Sequence, residues 1–326
     1  MLIPTYNRAK YFEECLNSVL TQDYPNLEII VSDNASTDNT TEVVKKYLSD
    51  KRVRYYRNEV NVGIIANWKK LLYEYATGEY GKLICDDDYL LDKEHIRKSI
   101  DLILSKKVDV VVCGGVQIVE GFSGLPEKIS YDYEIPEITD ANWWLENGGK
   151  KINGIYLFLN FNDGAVFSIK KAKELKAFIP DSFGLDYEIL LRFILSGRIG
   201  YIGGHHFVAR SHPANDGRLE SFEKAFAGTE MFSRIYEYGL SLGLPEKKLL
   251  KLKRRNLIVF SVVFLVDKWF SSKGVSLTSI YNFYRRMSNL DKIIFFSVIT
   301  NYATVSTLLR RKNVKIYEFL RRIIKK

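Results

Sequence analysis

The chain has 326 residues, 46% of them hydrophobic and 27% charged, with only 21 Gly and 7 Pro, a composition that supports a folded core and excludes disordered, collagen-like and linker-dominated chains. Its three cysteines, Cys15, Cys85 and Cys113, are too few and too widely spaced for a disulfide framework or a cysteine zinc site, which points to a reducing compartment. The net charge of +9 divides into a basic tail, Pro245–Lys326, with 19 basic and 4 acidic residues, and an acidic body with 29 and 35; a body of net −6 argues against nucleic acid as a partner, since that binding is dominated by phosphate neutralisation.

No basic segment followed by an apolar stretch opens the chain, so no cleaved signal is expected and the protein is placed in the cytoplasm. After Met1–Ile3 comes a turn at Pro4–Arg8, then a helix striped by Phe12, Leu16, Val19 and Leu20. Only three residues precede Pro4, fewer than a full first strand usually needs, so that strand is expected to be short and weakly held at an edge. Leu27–Val31 reads as a buried strand that stops at the polar run Ser32-Asp33-Asn34-Ala35-Ser36-Thr37-Asp38. A helix follows with Val43, Val44, Tyr47 and Leu48 on one face, then a short strand, Val53–Arg57. Ile65, Trp68, Leu71, Leu72 and Tyr75 stripe the next helix, which leads through Gly78 to the strand Lys82–Cys85. Asp86, Asp87 and Asp88 come at once, followed by a helix through Ile96, Ile100, Ile103 and Leu104 and a strand, Val108–Cys113. This alternation predicts an α/β fold, a mostly parallel sheet with helices on both faces.

Residues 130–163 are aromatic-rich without a clean period and read as loops and short elements that line an acceptor cleft. A helix is expected to start near Asp186 and stop at Gly197; from Leu219 the pattern is helical, broken near Gly239–Pro245.

In a parallel sheet, ligands bind beyond the carboxyl ends of the strands, where both acidic clusters fall. Three adjacent carboxylates repel one another unless a cation or several donors compensate, and a hard ion such as Mg or Mn suits oxygen ligands. The ordinary alternative is a helix N-terminus capped by Asp. The run from Ser32 to Asp38 has the same two readings: Ser36 or Asp38 can cap the following helix, while Asp33, directly after the strand, can accept from a base or ribose.

The ordered blocks PTYNR, YPNLEIIVSDNASTDNT, NVGIIANWKKLL, ATGEYGKLICDDDYL, GLDYEILLRFILSG and RSHP resemble family 2 glycosyltransferases of the GT-A fold over about the first two thirds of the chain. The resemblance implies a Rossmann-like GT-A domain, placed over residues 1–218, and the helical pattern and basic charge that follow make residues 219–326 a helical basic region. The resemblance also implies an inverting, metal-dependent transfer from a nucleotide-diphosphate sugar to a saccharide or lipid-linked acceptor, of the kind used in polysaccharide biosynthesis. By that match Pro4, Thr5, Tyr6, Asp33, Asn61, Gly63, Asn67, Asp86 and Asp87 surround the nucleotide, Asp88 and His212 approach a Mn or Mg ion, and Asp186 is the base. Leu185 stands where the family often has a Glu, and the processive Gln-x-x-Arg-Trp signature is absent. Asp163 and Glu188 are the reserve carboxylates for the base role. A nucleotidyltransferase would need a basic phosphate loop near the N-terminus, which is not evident; a non-catalytic nucleotide-sugar or membrane-binding protein is the other alternative.

The chemistry agrees with that resemblance. A sugar hydroxyl is a poor nucleophile at neutral pH and needs a positioned base, while the leaving diphosphate needs a positive partner. His205 and His206 lack further ligands at metal spacing and read as packed or loop histidines; Trp143 and Trp144 can stack on a sugar or pack in the core. In the tail, Asn256–Val266 and Ile293–Leu309 are too short or too polar for a confident membrane span. Ile316, Phe319, Leu320, Ile323 and Ile324 share a helical face beside basic residues, a pattern that suits an anionic membrane surface or a helical subdomain packed on the body. With a lipid-docked tail, a chain ending near Leu244 is expected to stay soluble and to lose the association with anionic vesicles that the full chain shows.

Overall fold

The computed structural model describes residues 1–120, 128–148, 151–152, 155–156, 164–179, 184–212 and 230–256. Its first half alternates strands and helices as the sequence predicts. β1 (Leu2–Thr5), β2 (Ile29–Asp33) and β3 (Val53–Arg57) pair in parallel in the order β1-β2-β3, with α1 (Ala9–Leu20) and α2 (Thr40–Lys45) in the connections. α3 (Ile64–Lys69) continues as a π-helical turn, Lys70–Tyr75, and leads into β4 (Tyr80–Gly81). The chain then runs beside β1: the Leu2 amide donates to the Lys82 carbonyl at 2.8 Å and the Ile84 amide to the Leu2 carbonyl at 3.1 Å, a parallel bridge. β1 is therefore flanked on both sides. All four of its residues are buried, so the short first strand is an interior strand and not a weak edge.

Through β4 this sheet joins a mixed five-stranded sheet, β4-β12-β6-β13-β9. The new strands are β6 (Val110–Cys113), β9 (Ile138–Asp140), β12 (Ala165–Ser168) and β13 (Arg198–Ile202). β12 is antiparallel to both β4 and β6, which makes β4 and β6 parallel; β13 is parallel to β6 and β9 antiparallel to β13. A smaller sheet, β5-β14-β7-β8, packs β14 (Phe207–Ser211) between β5 (Tyr89–Leu90) and β7 (Gly115–Val119), with β8 (Lys128–Tyr131) outside β7. β6 passes into β7 through Gly114 and Gly115. A Cβ on Gly114 would lie 2.3 Å from the Gly204 carbonyl, and one on Gly115 2.4 Å from the Phe207 ring, so only glycine lets the chain cross between sheets here. β10 (Lys151–Ile152) and β11 (Ile155–Tyr156) form a hairpin.

Strand alternation builds two cores. Ile3, Ile29, Val31 and Val111 join Phe12, Leu16, Ile96 and Ile100 from α1 and α4 (His95–Lys106) on one face. Leu2, Ile30, Val110 and Val112 join Trp68, Leu72, α5 (Ala141–Asn147), α6 (Ile169–Glu174) and α7 (Leu185–Ser196) on the other. α8 (Met231–Ser241) belongs to this second core through Met231, Phe232 and Ile235. The chain breaks at Gly243, with φ +73°, as the Gly239–Pro245 stretch predicts, and is helical again over 246–256. Leu249, Leu252 and Asn256 are buried there, and the Tyr187 hydroxyl donates to Asn256 Oδ1 at 2.5 Å. A chain cut near Leu244 therefore loses part of the body's core, contrary to the expectation for a detachable tail. The 218/219 boundary and the apolar runs after Asn256 lie outside the described residues. Among the described residues no helix is long and apolar enough to cross a membrane.

Candidate active site

The pairings fix one direction for β1, β2, β3, the 82–84 segment, β6 and β13, so their carboxyl ends share one edge of the sheet. α7 hands directly to β13 and packs back on it, so it runs against that strand and its first turn lies at the same edge. Asp33, Asp86–Asp88 and Asp186 are thereby brought to one side of the molecule from positions up to 153 residues apart.

Asp33 ends β2 fully buried, and its carboxylate is already engaged. Oδ1 accepts from the Ser36 amide at 2.7 Å, and Oδ2 accepts from the Tyr55 hydroxyl at 2.6 Å and from Arg57 and Thr41 at 3.4 Å. The rest of this cluster reaches across to cap the start of α1, while Asp38 Oδ1 also accepts the Thr40 amide at the start of α2 at 3.0 Å. Ser36 Oγ accepts the Asn7 amide at 2.9 Å, Thr40 Oγ1 the Arg8 amide at 3.3 Å and Asp38 Oδ2 the Ala9 amide at 3.0 Å, all at the start of α1. Burial raises the Asp38 carboxyl, but bonds from Thr40 and Ala9 outweigh it and hold it below the usual carboxylate range. Asn7, at φ +54°, reciprocates by accepting the Thr37 amide at 2.7 Å. The Pro4–Thr5–Tyr6 turn is thus clamped to the end of β2, where the Thr5 carbonyl also accepts the Asn34 amide at 2.9 Å.

Asp86, Asp87 and Asp88 are all buried at the end of the 82–84 segment. They face different ways. The Tyr6 amide donates to Asp86 Oδ2 at 3.2 Å; burial, then the neighbouring Asp87 charge, pushes the Asp86 carboxyl up to about 8 against the pull of Arg8 and the turn's donors. Asp87 meets Arg8 at 3.8 Å and His212 Nε2 at 3.1 Å, and Asp88 Oδ1 accepts the Arg210 amide at 2.6 Å. A carboxylate oxygen of Asp87, one of Asp88 and the Cys85 thiol lie within 4.8 Å of one another. The structure therefore brings a carboxylate oxygen of Asp87, rather than of Asp86, beside Asp88 and leans Asp86 on the Tyr6 turn.

Two side chains that sequence reasoning passed over hold this cluster. Arg210, in the RSHP block, donates to the Asp87 carbonyl at 2.7 Å, pairs with Glu14 and lies over the rings of Tyr11 and Tyr89 at 5.3 and 4.6 Å. Tyr11 in turn stacks on His212, with ring centroids 4.8 Å apart. The signal was the arginine two residues before His212 on a strand; its role depends on β14 lying beside β5, which no local pattern announces.

Asp186 sits half-buried in the first turn of α7, behind Gly184 at φ +80°. Glu188 does not share that position. It is 1% exposed, and its oxygens accept from Arg234 at 2.6 Å and Arg192 at 2.8 Å, pinning α8 to α7. That ion pair removes Glu188 from the reserve bases; Asp163 lies outside the described residues. His205 bonds Ser130 and His206 pairs with Asp92 at 2.9 Å, so neither joins His212 at a metal site. Trp144 is a core residue whose indole N–H donates to Thr139 at 2.8 Å, and Trp143 packs edge-on against it. Trp144 is thereby no sugar platform, while Trp143 is half-buried. Asn67 is buried with its amide between Ser32 and Asn58, while Asn61 and Gly63 lie on an exposed loop beside it.

The pattern described as Glycosyl transferase family 2 matches residues 1–165, about half of the chain. Among curated relatives, the poly(ribitol-phosphate) beta-N-acetylglucosaminyltransferase TarS of Staphylococcus aureus is 31% identical over 144 residues, 44% of this chain and 24% of that protein. The abequosyltransferase RfbV of Salmonella typhimurium is 37% identical over 115 residues, 34% of each chain. The match thus spans about a quarter to a third of these relatives' length. In three dimensions, the crystal structure of S. aureus TarS 1–349 superposes with a TM-score of 0.64 at 20% identity, covering 96% of this chain and 91% of that one. A mannosyltransferase from Pyrobaculum calidifontis, solved in complex with GDP-Man and Mn2+, superposes at 0.53 and 16%, covering 94% and 81%. At these identities the superpositions show a shared GT-A fold.

Proposed function

This chain belongs to glycosyl transferase family 2, and we propose that it moves a sugar from a nucleoside diphosphate sugar to an acceptor hydroxyl in a single inverting displacement. The observation that carries this reading is the convergence of Asp33, Asp86–Asp88 and Asp186 at one edge of the parallel sheet in a chain of this family. In it, the nucleotide lies along the Pro4–Thr5–Tyr6 turn beside Asp33, Asn61 and Gly63, with Asn67 supporting from behind and Asp86 toward the ribose.

Asp87 and Asp88 are a hard donor pair that fits Mg or Mn, and the mannosyltransferase that shares this fold was solved with Mn2+; the Cys85 thiol is soft and a poor match for either ion. A bound divalent ion there supplies charge stabilisation to the leaving diphosphate. His212 and Arg210 hold the two carboxylates in position. Asp186 takes the proton of the attacking hydroxyl, and no covalent nucleophile is required. The acceptor is a glycan or lipid-linked saccharide; a lipid-linked one would bring the basic region after Asn256 to the anionic inner face of a membrane.

Screening a panel of nucleotide sugars for acceptor-dependent release of nucleoside diphosphate tests the reading. Asp186→Asn is expected to keep donor binding while transfer falls by about 100-fold or more, the scale of general-base removal. Near-normal turnover would take the base role from Asp186, and no release from any donor would overturn the transferase itself.

A further inference from the structure

The loop from Glu59 to Ile64 is exposed at every residue, including Val60 and Val62. No burial of apolar surface holds it. What holds it is a chain of side-chain amides. Asn34 Oδ1 accepts the Val62 amide at 2.9 Å, and Asn34 Nδ2 donates to Asn61 Oδ1 at 2.8 Å, which also accepts the Gly63 amide at 2.9 Å. Gly63 is at φ +87°, so the turn depends on these bonds and on glycine's freedom at that angle.

Asn34 is anchored from below by Asn58. The Asn58 NH2 donates both to Asn34 Oδ1 at 3.1 Å and to Asn67 Oδ1 at 3.0 Å. Neither of those oxygens can be exchanged for nitrogen: Asn34 must accept from a backbone N–H at Val62, and Asn67 must donate its own NH2 to the Ser32 carbonyl at 2.9 Å. Asn58 is therefore forced to point its NH2 at both, and its Oδ1 is turned away into a buried position. Lys70 meets that oxygen. Its ammonium, a group with donors only, bonds Asn58 Oδ1 at 2.7 Å, and among the described residues this is the hydrogen bond the structure gives it. The π-helical turn that begins at Lys70 widens the helix where this side chain leaves it.

We propose that Lys70 is a positioning residue for the donor: by satisfying and polarising the Asn58 amide, it holds Asn34 and so sets the Val62–Gly63 backbone beside the nucleotide. The placement of the nucleotide rests on the family reading given above; the mechanical link from Lys70 to the loop does not. The network also reaches the end of β2 and the Thr5 turn through its backbone, since the Asn58 amide donates to the Asp33 carbonyl at 2.8 Å and the Asn34 amide to that of Thr5.

Lys70→Met removes the donor with little change in length, and Lys70→Arg restores one. Hydrogen exchange on the full chain without ligand should show Val62 and Gly63 amides in Lys70→Met exchanging about tenfold faster, the scale of one buried hydrogen bond, with Ile3 and Val31 in the sheet unchanged. UDP, GDP, CDP, ADP and dTDP are then titrated. For whichever binds the parent chain, affinity in Lys70→Met should fall about tenfold and KM for the matching donor rise with it, while kcat at saturating donor stays within about twofold and Lys70→Arg returns both values. Unchanged exchange at Val62 and Gly63 would overturn the proposal, as would equal loss of protection at Ile3 and Val31, which makes Lys70 a general stability residue. If the parent chain binds none of the five nucleotides, the nucleotide reading fails and the exchange result alone decides what Lys70 does.

Discussion

Two acidic clusters flank β1 at the same edge of the sheet, one at the end of β2 and one at the end of the 82–84 segment, and their surroundings differ. Around Asp33 every carboxylate oxygen meets protein donors, and Ser36, Asp38 and Thr40 are spent on the first turn of α1. Around Asp86–Asp88 three buried carboxyls lie side by side, and Asp86 is driven toward its neutral form by burial and by Asp87. The first cluster spends its charge on structure. The second packs like charges against one another, which is why the proposed reaction puts its cation and diphosphate there. Carboxylate density in a sequence does not distinguish these cases; the donors that reach each oxygen do.

The largest test of this contrast is Asp33→Ala. It strands the Ser36 amide and the Tyr55 hydroxyl in a buried site, and a loss of about 3 kcal/mol is expected, read as a fall in the urea midpoint without ligand. Wild-type stability would erase the distinction. Asp88→Asn should do the reverse: Oδ1 can still accept the Arg210 amide while one like charge disappears, so the midpoint should hold or rise. The gain in nucleoside diphosphate affinity produced by Mn should shrink by about 1.5–3 kcal/mol, the worth of a charged contact. Calorimetric titration with and without Mn measures it, and an unaltered gain would remove Asp88 from the ion site.

The smallest effect calibrates the contrast from outside both clusters. His95 is fully buried on α4 with its ring 5.3 Å from that of His206; burial, then the Lys82 charge, holds it well below the usual histidine range. The folded protein thus keeps it neutral while the unfolded chain binds a proton near pH 6.5, so its share of stability is intact above that pH and is lost as pH falls below it. His95→Leu should flatten the acid limb between pH 6.5 and 5 by up to about 1.4 kcal/mol per pH unit, measured by denaturant midpoints across that range. An unchanged slope would show that His95 binds a proton in the folded state too.

The sequence by itself determined the elements whose patterns are local. The stripe Phe12, Leu16, Val19 became α1, Ile96 and Ile100 face the core from α4, the apolar runs around Ile30 and Val111 became buried strands, and Gly197 ended α7, because periodicity and glycine conformational cost act within a few residues. It also placed Asp33, Asp86–Asp88 and Asp186 at element ends. What those carboxylates meet was decided only by tertiary structure. Asp38 reaches across to the Ala9 amide of α1, Glu188 is consumed by Arg234 from α8, Arg210 is carried to Asp87 and Asp88 by the pairing of β14 with β5, and Lys70 reaches the exposed loop through three amides. Each of these partners comes from a distant stretch of chain. A sequence pattern reports which groups need a partner, and the packing of elements with long connections between them chooses which partner arrives.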